Sequence, residues 1–216
     1  MITNKNCIIR LARYKNALYR LRSLGFVKVF SENLADAVGV TASQVRKDFS
    51  LFGISGNRRG GYEIGFLLEK LGLILGKDQV QKVIVVGAGH LGGALRDYRG
   101  FEKEGIRIAA CFDIDPELYD RSSPVPILPI EELKEFVKNN GIRIGVIAVP
   151  EVAAGQVSEL MISAGIKGIL NFAPIRLKCP EDVVITNVNL GVELENLIYF
   201  VNVLSKKGDR QHGHTA

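Results

Sequence analysis

Lys82-Val83-Ile84-Val85-Val86-Gly87-Ala88-Gly89-His90-Leu91-Gly92 decides the fold: a β-branched apolar run meets a glycine loop with GxGxxG spacing. The run predicts a strand buried on both faces, and Ala94, Leu95 and Tyr98 place a helix directly after the loop. The next strand, Arg107 to Phe112, ends at Asp113, 21 positions after Gly92, where a dinucleotide-binding unit carries its ribose acid. Gly87 permits the tight turn, Gly89 lets the backbone approach a pyrophosphate, and Gly92 lets the helix pack close to the strand. His90 and Leu91 complete the phosphate loop. Asp113 suits two ribose hydroxyls and repels a 2′-phosphate, so NAD(H) is expected over NADP(H); Asp115 is placed to share that role.

Alternation continues outward from this unit. A helix is expected over 130–140, a strand over 143–149, a helix over 152–164 and a strand over 168–171, which together predict a doubly wound parallel sheet. Ligands bind outside the carboxyl ends of such strands, so Val149 and Pro150, with Phe172 and Ala173, are expected near the nicotinamide end of the cofactor. Hydride transfer needs an acid–base group beside the substrate carbon. None is well placed: His90 lies in the phosphate loop, no tyrosine is followed four positions later by lysine, and Glu151 reads as a solvated carboxylate at a helix start. Sensing is expected rather than turnover, so the chain is not expected to be an enzyme.

Upstream the chemistry changes sign. Residues 1–62 hold 11 Lys and Arg against 3 Asp and Glu, whereas residues 63–216 hold 17 against 20, so a net +8 segment precedes a net −3 one. A positive field concentrated at one end steers polyanions to that end. Ile8, Leu11, Tyr14, Leu18 and Leu21 form an amphipathic stripe, with Arg10 among the basic residues on the other faces. Ser31 is the expected cap of a short helix ending at Gly39, and Thr41 with Gln44 forms a capping box that opens the next. Helix, turn, helix suits a major groove about 12 Å wide, with Ser43, Gln44, Arg46 and Lys47 facing it. Gln44 is suited to bidentate contact with adenine, unless its amide serves the capping box. The glycine-rich stretch from Phe52 to Tyr62 follows as a basic hairpin, whose Arg58 and Arg59 are candidates for the minor groove. Glu63 to Gly76 continues as a helix with Ile64, Leu67, Leu68, Leu71 and Leu75 buried.

Leu194, Leu197, Ile198, Val201 and Leu204 put an apolar face on a C-terminal helix, which needs a partner such as a second subunit. Three cysteines without CxxC spacing read as reduced thiols, and the three histidines form no ligand cluster, so no metal is expected. No apolar run approaches the roughly 18 residues of a membrane span, and no secretory signal is recognisable, so a cytoplasmic, membrane-free location is expected. The fold class is α/β. A winged helix-turn-helix domain is expected over 1–78, a Rossmann-like NAD(H) domain over 79–190, and a C-terminal dimerisation helix with a polar tail over 191–216.

As a set these residues resemble the Rex family of redox-sensing bacterial transcriptional repressors, over nearly the whole chain to about Lys206. The resemblance rests on Arg10-Leu11 with Tyr14, Val45-Arg46-Lys47-Asp48, Phe52-Gly53, Gly61-Tyr62, the glycine loop, Phe112-Asp113-Ile114-Asp115-Pro116 and Ala164 to Pro174. It implies a homodimer on double-stranded operator DNA, an inverted repeat, that NADH releases and NAD⁺ permits. By motif match, Arg46, Lys47 and Arg58 would contact DNA, and Tyr98 would join Gly87, Gly89, Gly92 and Asp113 at or beside the cofactor. Some members carry an Arg two positions after the first-helix tyrosine and an Asp just before the final helix, a pair that couples cofactor to domain angle. Asn16 and Asn189 stand there in this chain, so a weakened or uncoupled NADH response is the first alternative; an NAD-dependent oxidoreductase with a basic appended domain is the second. A third is a DNA-binding protein whose Rossmann domain only dimerises.

Overall fold

The computed structural model describes residues 5–57, 59–76 and 79–212 and divides into two compact units, Met1–Val80 and Gln81–Ala216. In the first, α1 (Lys5–Ser23), β1 (Lys28–Val29), α2 (Ser31–Val38), α3 (Ala42–Ser50), β2 (Tyr62–Glu63) and α4 (Ile64–Ile74) follow in order. Cys7, Leu11, Tyr14 and Leu18, three or four residues apart on α1, are buried against Ile64, Leu67, Leu68 and Leu71 of α4. Each such buried leucine contributes roughly 2 kcal/mol. Leu75, expected among them, lies beyond the helix and is half-buried.

Local chemistry explains the helix ends, with two corrections. Ser31 does not cap α2: Phe30 takes the extended capping position, its N–H donates to Asn33 Oδ1 at 3.2 Å, and Ser31 is buried in the first turn. Thr41 Oγ1 accepts from the Gln44 N–H at 3.1 Å and so caps α3, but the reciprocal half of the box is not made. The Gln44 amide goes to Asp48 instead. β1 and β2 pair antiparallel, and Asn57 and Gly61 exchange both backbone bonds across a tight turn that Asn57 Oδ1 closes on the N–H groups of Arg59 and Gly60. Gly61 holds φ +66°, with the Val29 carbonyl oxygen 2.5 Å from where a Cβ would stand.

In the second unit β3 (Gln81–Val86), α5 (His90–Arg96), α6 (Gly100–Lys103), β4 (Ile106–Asp113), β5 (Ile127–Pro129), α7 (Leu133–Asn140), β6 (Ile144–Ile147), α8 (Glu151–Ser163), β7 (Gly168–Asn171) and β8 (Val184–Asn187) precede α9 (Leu190–His212). The six strands are parallel in the order β5-β4-β3-β6-β7-β8, the doubly wound arrangement with its reversal between β3 and β6. Successive residues of β3 serve opposite faces, as the pleat requires. Ile84 and Val86 pack with Leu133 and Val137 of α7 and Ala154 and Met161 of α8, while Val83 and Val85 pack with Leu95 of α5 and Phe101 of α6. α9 buries none of Leu194, Leu197, Ile198, Val201 or Leu204, and Tyr199 and Phe200 are also exposed. No helix of the described residues is long and apolar enough to cross a membrane.

A buried carboxylate organises the first unit. Asp48, on the apolar phase of α3, is completely buried and accepts from Arg10 Nε at 2.6 Å and Nη2 at 2.7 Å, Tyr14 Oη at 2.9 Å, Gln44 Nε2 at 2.8 Å and Cys7 Sγ at 3.4 Å. Burial alone raises a carboxyl pKa; these donors outweigh it and hold Asp48 at about 2. Burial and the neighbouring carboxylate raise the Tyr14 and Cys7 values, keeping both neutral donors. Arg10→Ala removes the bidentate partner and is expected to destabilise this unit by about 3 kcal/mol, read as an earlier urea transition. Since folded Asp48 titrates below its ordinary 3.8, its contribution is complete above that value and is lost as pH falls towards 2. The stability gap between wild type and Asp48→Asn should therefore close by about 2 kcal/mol between about pH 4 and pH 2; a constant gap contradicts the assignment.

Candidate functional site

A cleft of about 290 Å³ opens at the strand-order reversal, lined by Val86, Gly87 and Gly89, the β4 end from Phe112 to Asp115, Leu118, Ile130, and the β6–α8 segment through Ala148, Val149, Pro150, Ala153 and Val157. Gly87 holds φ +97°, and the Ala148 carbonyl oxygen lies 2.5 Å from where a Cβ would stand. That close approach draws the β3 and β6 ends together beneath the loop. A Cβ on Gly92 would strike the Gly87 carbonyl, whereas Gly89 faces open space. The three glycines thus have three different physical reasons. His90 and Leu91 open α5, where a helix has no intrahelical acceptor for its first N–H groups, so these face outward as anion donors.

Asp113 sits half-buried at the end of β4. Its Oδ2 accepts from the Ala88 N–H at 2.6 Å, and its Oδ1 from the N–H groups of Ile114 at 2.7 Å and Asp115 at 3.0 Å. One carboxylate therefore ties the glycine loop to the neighbouring strand and keeps unused acceptor capacity on Oδ2. Asp115 Oδ1 accepts from Glu117 N–H, opening the short turn that carries Leu118. Around these polar groups the cleft is apolar: Ile114, Leu118, Ile130, Ala153 and Val157 line it, and the sequence assigns none of them to the cofactor. Ile114 offers the one legible sign, an apolar side chain between two acids, 79% exposed.

Of the expected cofactor residues, Gly87, Gly89, Asp113, Val149 and Pro150 line the cleft, while Gly92 is buried beneath it. His90, Leu91, Tyr98, Phe172 and Ala173 do not line it. Tyr98 stacks edge-on against Phe101 at 5.0 Å, and Ala173 belongs to the core. The Asn171–Pro174 segment is organised by Asn171, whose amide bonds Ala173, Ile175 and Asn187 from complete burial. Cys111 lies on β4 in the core, beside Ile127 of β5, where burial pushes its thiol up to about 11, far from thiolate chemistry.

On the first unit, Ser43, Arg46, Lys47 and Ser50 share the exposed side of α3, with Gln44 half-buried at its edge. Arg46 Nη1 meets Glu32 Oε1 at 3.2 Å, a solvent-exposed pair worth at most about 1 kcal/mol and easily exchanged for another anion. Arg10 is committed to Asp48 by two of its nitrogens rather than displayed on that face. Arg59 is exposed at the hairpin tip, and Arg58 lies outside the described residues. Asn16 is exposed on α1; Asn189 caps α9, accepting from the Val192 N–H at 3.2 Å.

Two family models match the chain, one described as a DNA-binding protein N-terminus over residues 5–50 and one as a CoA binding domain over residues 78–175. The redox-sensing transcriptional repressor Rex of Desulforamulus reducens is 42% identical over 193 residues, spanning 89% of this chain and 92% of that protein. The chain belongs to the Rex family. The Rex protein of Clostridioides difficile is 38% identical over 206 residues, 93% of this chain and 98% of its own. Among solved structures, the Rex-family repressor RSP with beta-NAD⁺ and operator DNA matches over the full length of both chains, with TM-score 0.88 and 36% identity. RSP with beta-NADH matches 97% of this chain at TM-score 0.85 and 36% identity.

In this Rex-family chain the glycine geometry separates packing from ligand approach. Gly92→Ala is expected to destabilise the second unit by about 3 kcal/mol, because backbone must move, and Gly89→Ala by less than about 1 kcal/mol. Calorimetric unfolding of the two variants checks this; equal losses would contradict the assigned roles.

Proposed function

We propose that this chain is a DNA-binding transcriptional repressor that reports the NADH/NAD⁺ ratio, with NADH releasing it from operator DNA. The observation that carries the reading is the union, in one chain, of a basic exposed α3 face with a dinucleotide cleft, in an architecture that RSP matches over its full length. Residues 1–78 act as the winged-helix reader, 79–190 as the NAD(H) domain and 191–216 as the dimerisation helix and tail. Ser43, Gln44, Arg46, Lys47, Arg58 and Arg59 are assigned to DNA, with Arg10 acting through Asp48.

The cleft fits NAD(H) chemically. The N–H groups of Gly89, His90 and Leu91 suit a pyrophosphate, those of Gly87 and Ala88 being bonded to the Phe112 carbonyl and to Asp113; the open side of Gly89 admits it, and Asp113 takes ribose hydroxyls with its remaining acceptor capacity. Apolar walls at Ile114, Leu118 and Ile130 suit the adenine face. The oxidoreductase reading has less support: among the described lining residues the titratable groups are Asp113 and Asp115, and no His, Lys or Tyr stands ready to move a proton. A regulator rather than an enzyme, working in the cytoplasm, is the consistent assignment. The exposed apolar side chains of α9 support a homodimer, since a helix this apolar gains stability only by burial. Asn16 and Asn189 carry no charge to couple the two units, so the NADH response is expected to be weaker than in members with the Arg–Asp pair.

Fluorescence anisotropy of a labelled duplex from the upstream region of its own gene, at fixed salt, tests the reading. Binding should fall with saturating NADH and persist with NAD⁺; indifference to both, with occupancy confirmed, would contradict the sensing role. Neutralising about eight phosphates predicts a log–log salt slope near −7. Arg46→Ala should weaken DNA binding and leave NADH binding intact, and Asp113→Ala should do the reverse. Equal loss of both functions in either variant would contradict the assignment of separate sites.

A further inference from the structure

Gln44 stands at the edge of the exposed α3 face, beside Ser43 and one turn before Asp48. Its Nε2 donates to Asp48 Oδ1 at 2.8 Å. A glutamine amide has two chemically opposite ends of nearly equal size, and a free one turns over at little cost to present either a donor or an acceptor. Here the choice is made by charge. An ionised carboxylate has no proton to give, so only the NH₂ end can face Asp48, and the reversed amide would set oxygen against oxygen beside a buried anion. Asp48 is held ionised by Arg10, with Tyr14 and Cys7 as further donors. Among the described residues no group bonds Gln44 Oε1, and that atom is not sealed from solvent. At this position α3 therefore displays an acceptor with a defined orientation.

Resting on the reading of α3 as a recognition helix, we propose that Asp48 is a positioning residue for base readout: it holds Gln44 so that Oε1 faces the major groove and selects, on one strand at one position of each half-site, a base with an exocyclic amino group. Adenine N6 and cytosine N4 are the two amino donors there, whereas guanine O6 and N7 and thymine O4 are acceptors that Oε1 repels. Adenine is the stronger partner, because its N7 is also open to the second Nε2 proton. The buried acid thus acts on sequence preference without touching DNA. Bases are told apart by the group Asp48 turns outward, not by the presence of a glutamine alone.

The test is selection from a random-sequence duplex library by the full-length wild type, Gln44→Met and Asp48→Asn, followed by equilibrium binding to the selected duplexes. Wild type should enrich adenine or cytosine at one position of each half-site, by about tenfold over guanine or thymine. Substituting purine for that adenine, which deletes only the amino group, should cost a similar factor; with cytosine selected, replacement by thymine serves. Gln44→Met leaves Asp48 its other donors and should flatten that position alone, with the salt slope unchanged. Asp48→Asn offers Gln44 Oε1 a donor, lets the amide turn over, and should admit guanine and thymine at the same position. A Gln44→Met profile identical to wild type at every position overturns the proposal while leaving the repressor reading intact. Wild-type protein that enriches no sequence overturns that reading and this proposal with it.

Discussion

Gly92 has no side chain because the Gly87 carbonyl occupies the space one would need. From that contact the second unit's working geometry follows. α5 begins close enough to β3 for its first N–H groups to face the mouth between β3 and β6, where the strand order reverses. Gly87, pressed against Ala148, closes the floor of the same mouth, and Asp113 reaches across from β4 to the Ala88 N–H. Loop and acid are thereby positioned before any ligand arrives, which reduces the ordering cost of binding. The apolar walls then provide area, and the loop and Asp113 provide orientation.

In the first unit a buried carboxylate performs the comparable task. Asp48 gathers donors from α1 and α3, so the exposed side of α3 is oriented through a charge network rather than by apolar packing alone. An apolar core of the same shape is often equally stable, so what this network adds beyond stability is the orientation it imposes. Arg10, which a charge count assigns to the basic surface, belongs to this network. Arg46, paired with exposed Glu32, remains available to an incoming phosphate.

Legibility in the sequence followed burial. β3, β4 and the α1 stripe were readable because their residues are buried in a regular period, and Gly87, Gly89, Gly92 and Asp113 were readable because the turn, the close packing of helix on strand and the length of one crossover set their spacing. Both edge strands escaped: β5 follows Pro126 and ends on Pro129, residues that punctuate rather than extend a strand, and β8 is a four-residue run at the sheet margin. α9 continues to His212, beyond the apolar pattern that ends at Leu204. The Asp48 cluster escaped because its members lie on two helices, and pairs such as Arg10 with Tyr14 look like ordinary helix-surface spacing. Its one local sign is a carboxylate between Val45 and Phe49 on the buried phase of α3. In the cleft, the apolar lining came from four separate segments that no single window contains.

Coupling between the two sites is thermodynamically reciprocal, so it can be read from the cofactor side. NADH affinity should be measured by calorimetry with the free protein and with protein saturated by its operator duplex, at one salt concentration. The duplex should weaken NADH binding by about fivefold, the lower end of ordinary allosteric coupling. Equal NADH affinity in the two states would show that cofactor and DNA do not communicate, and would contradict the account.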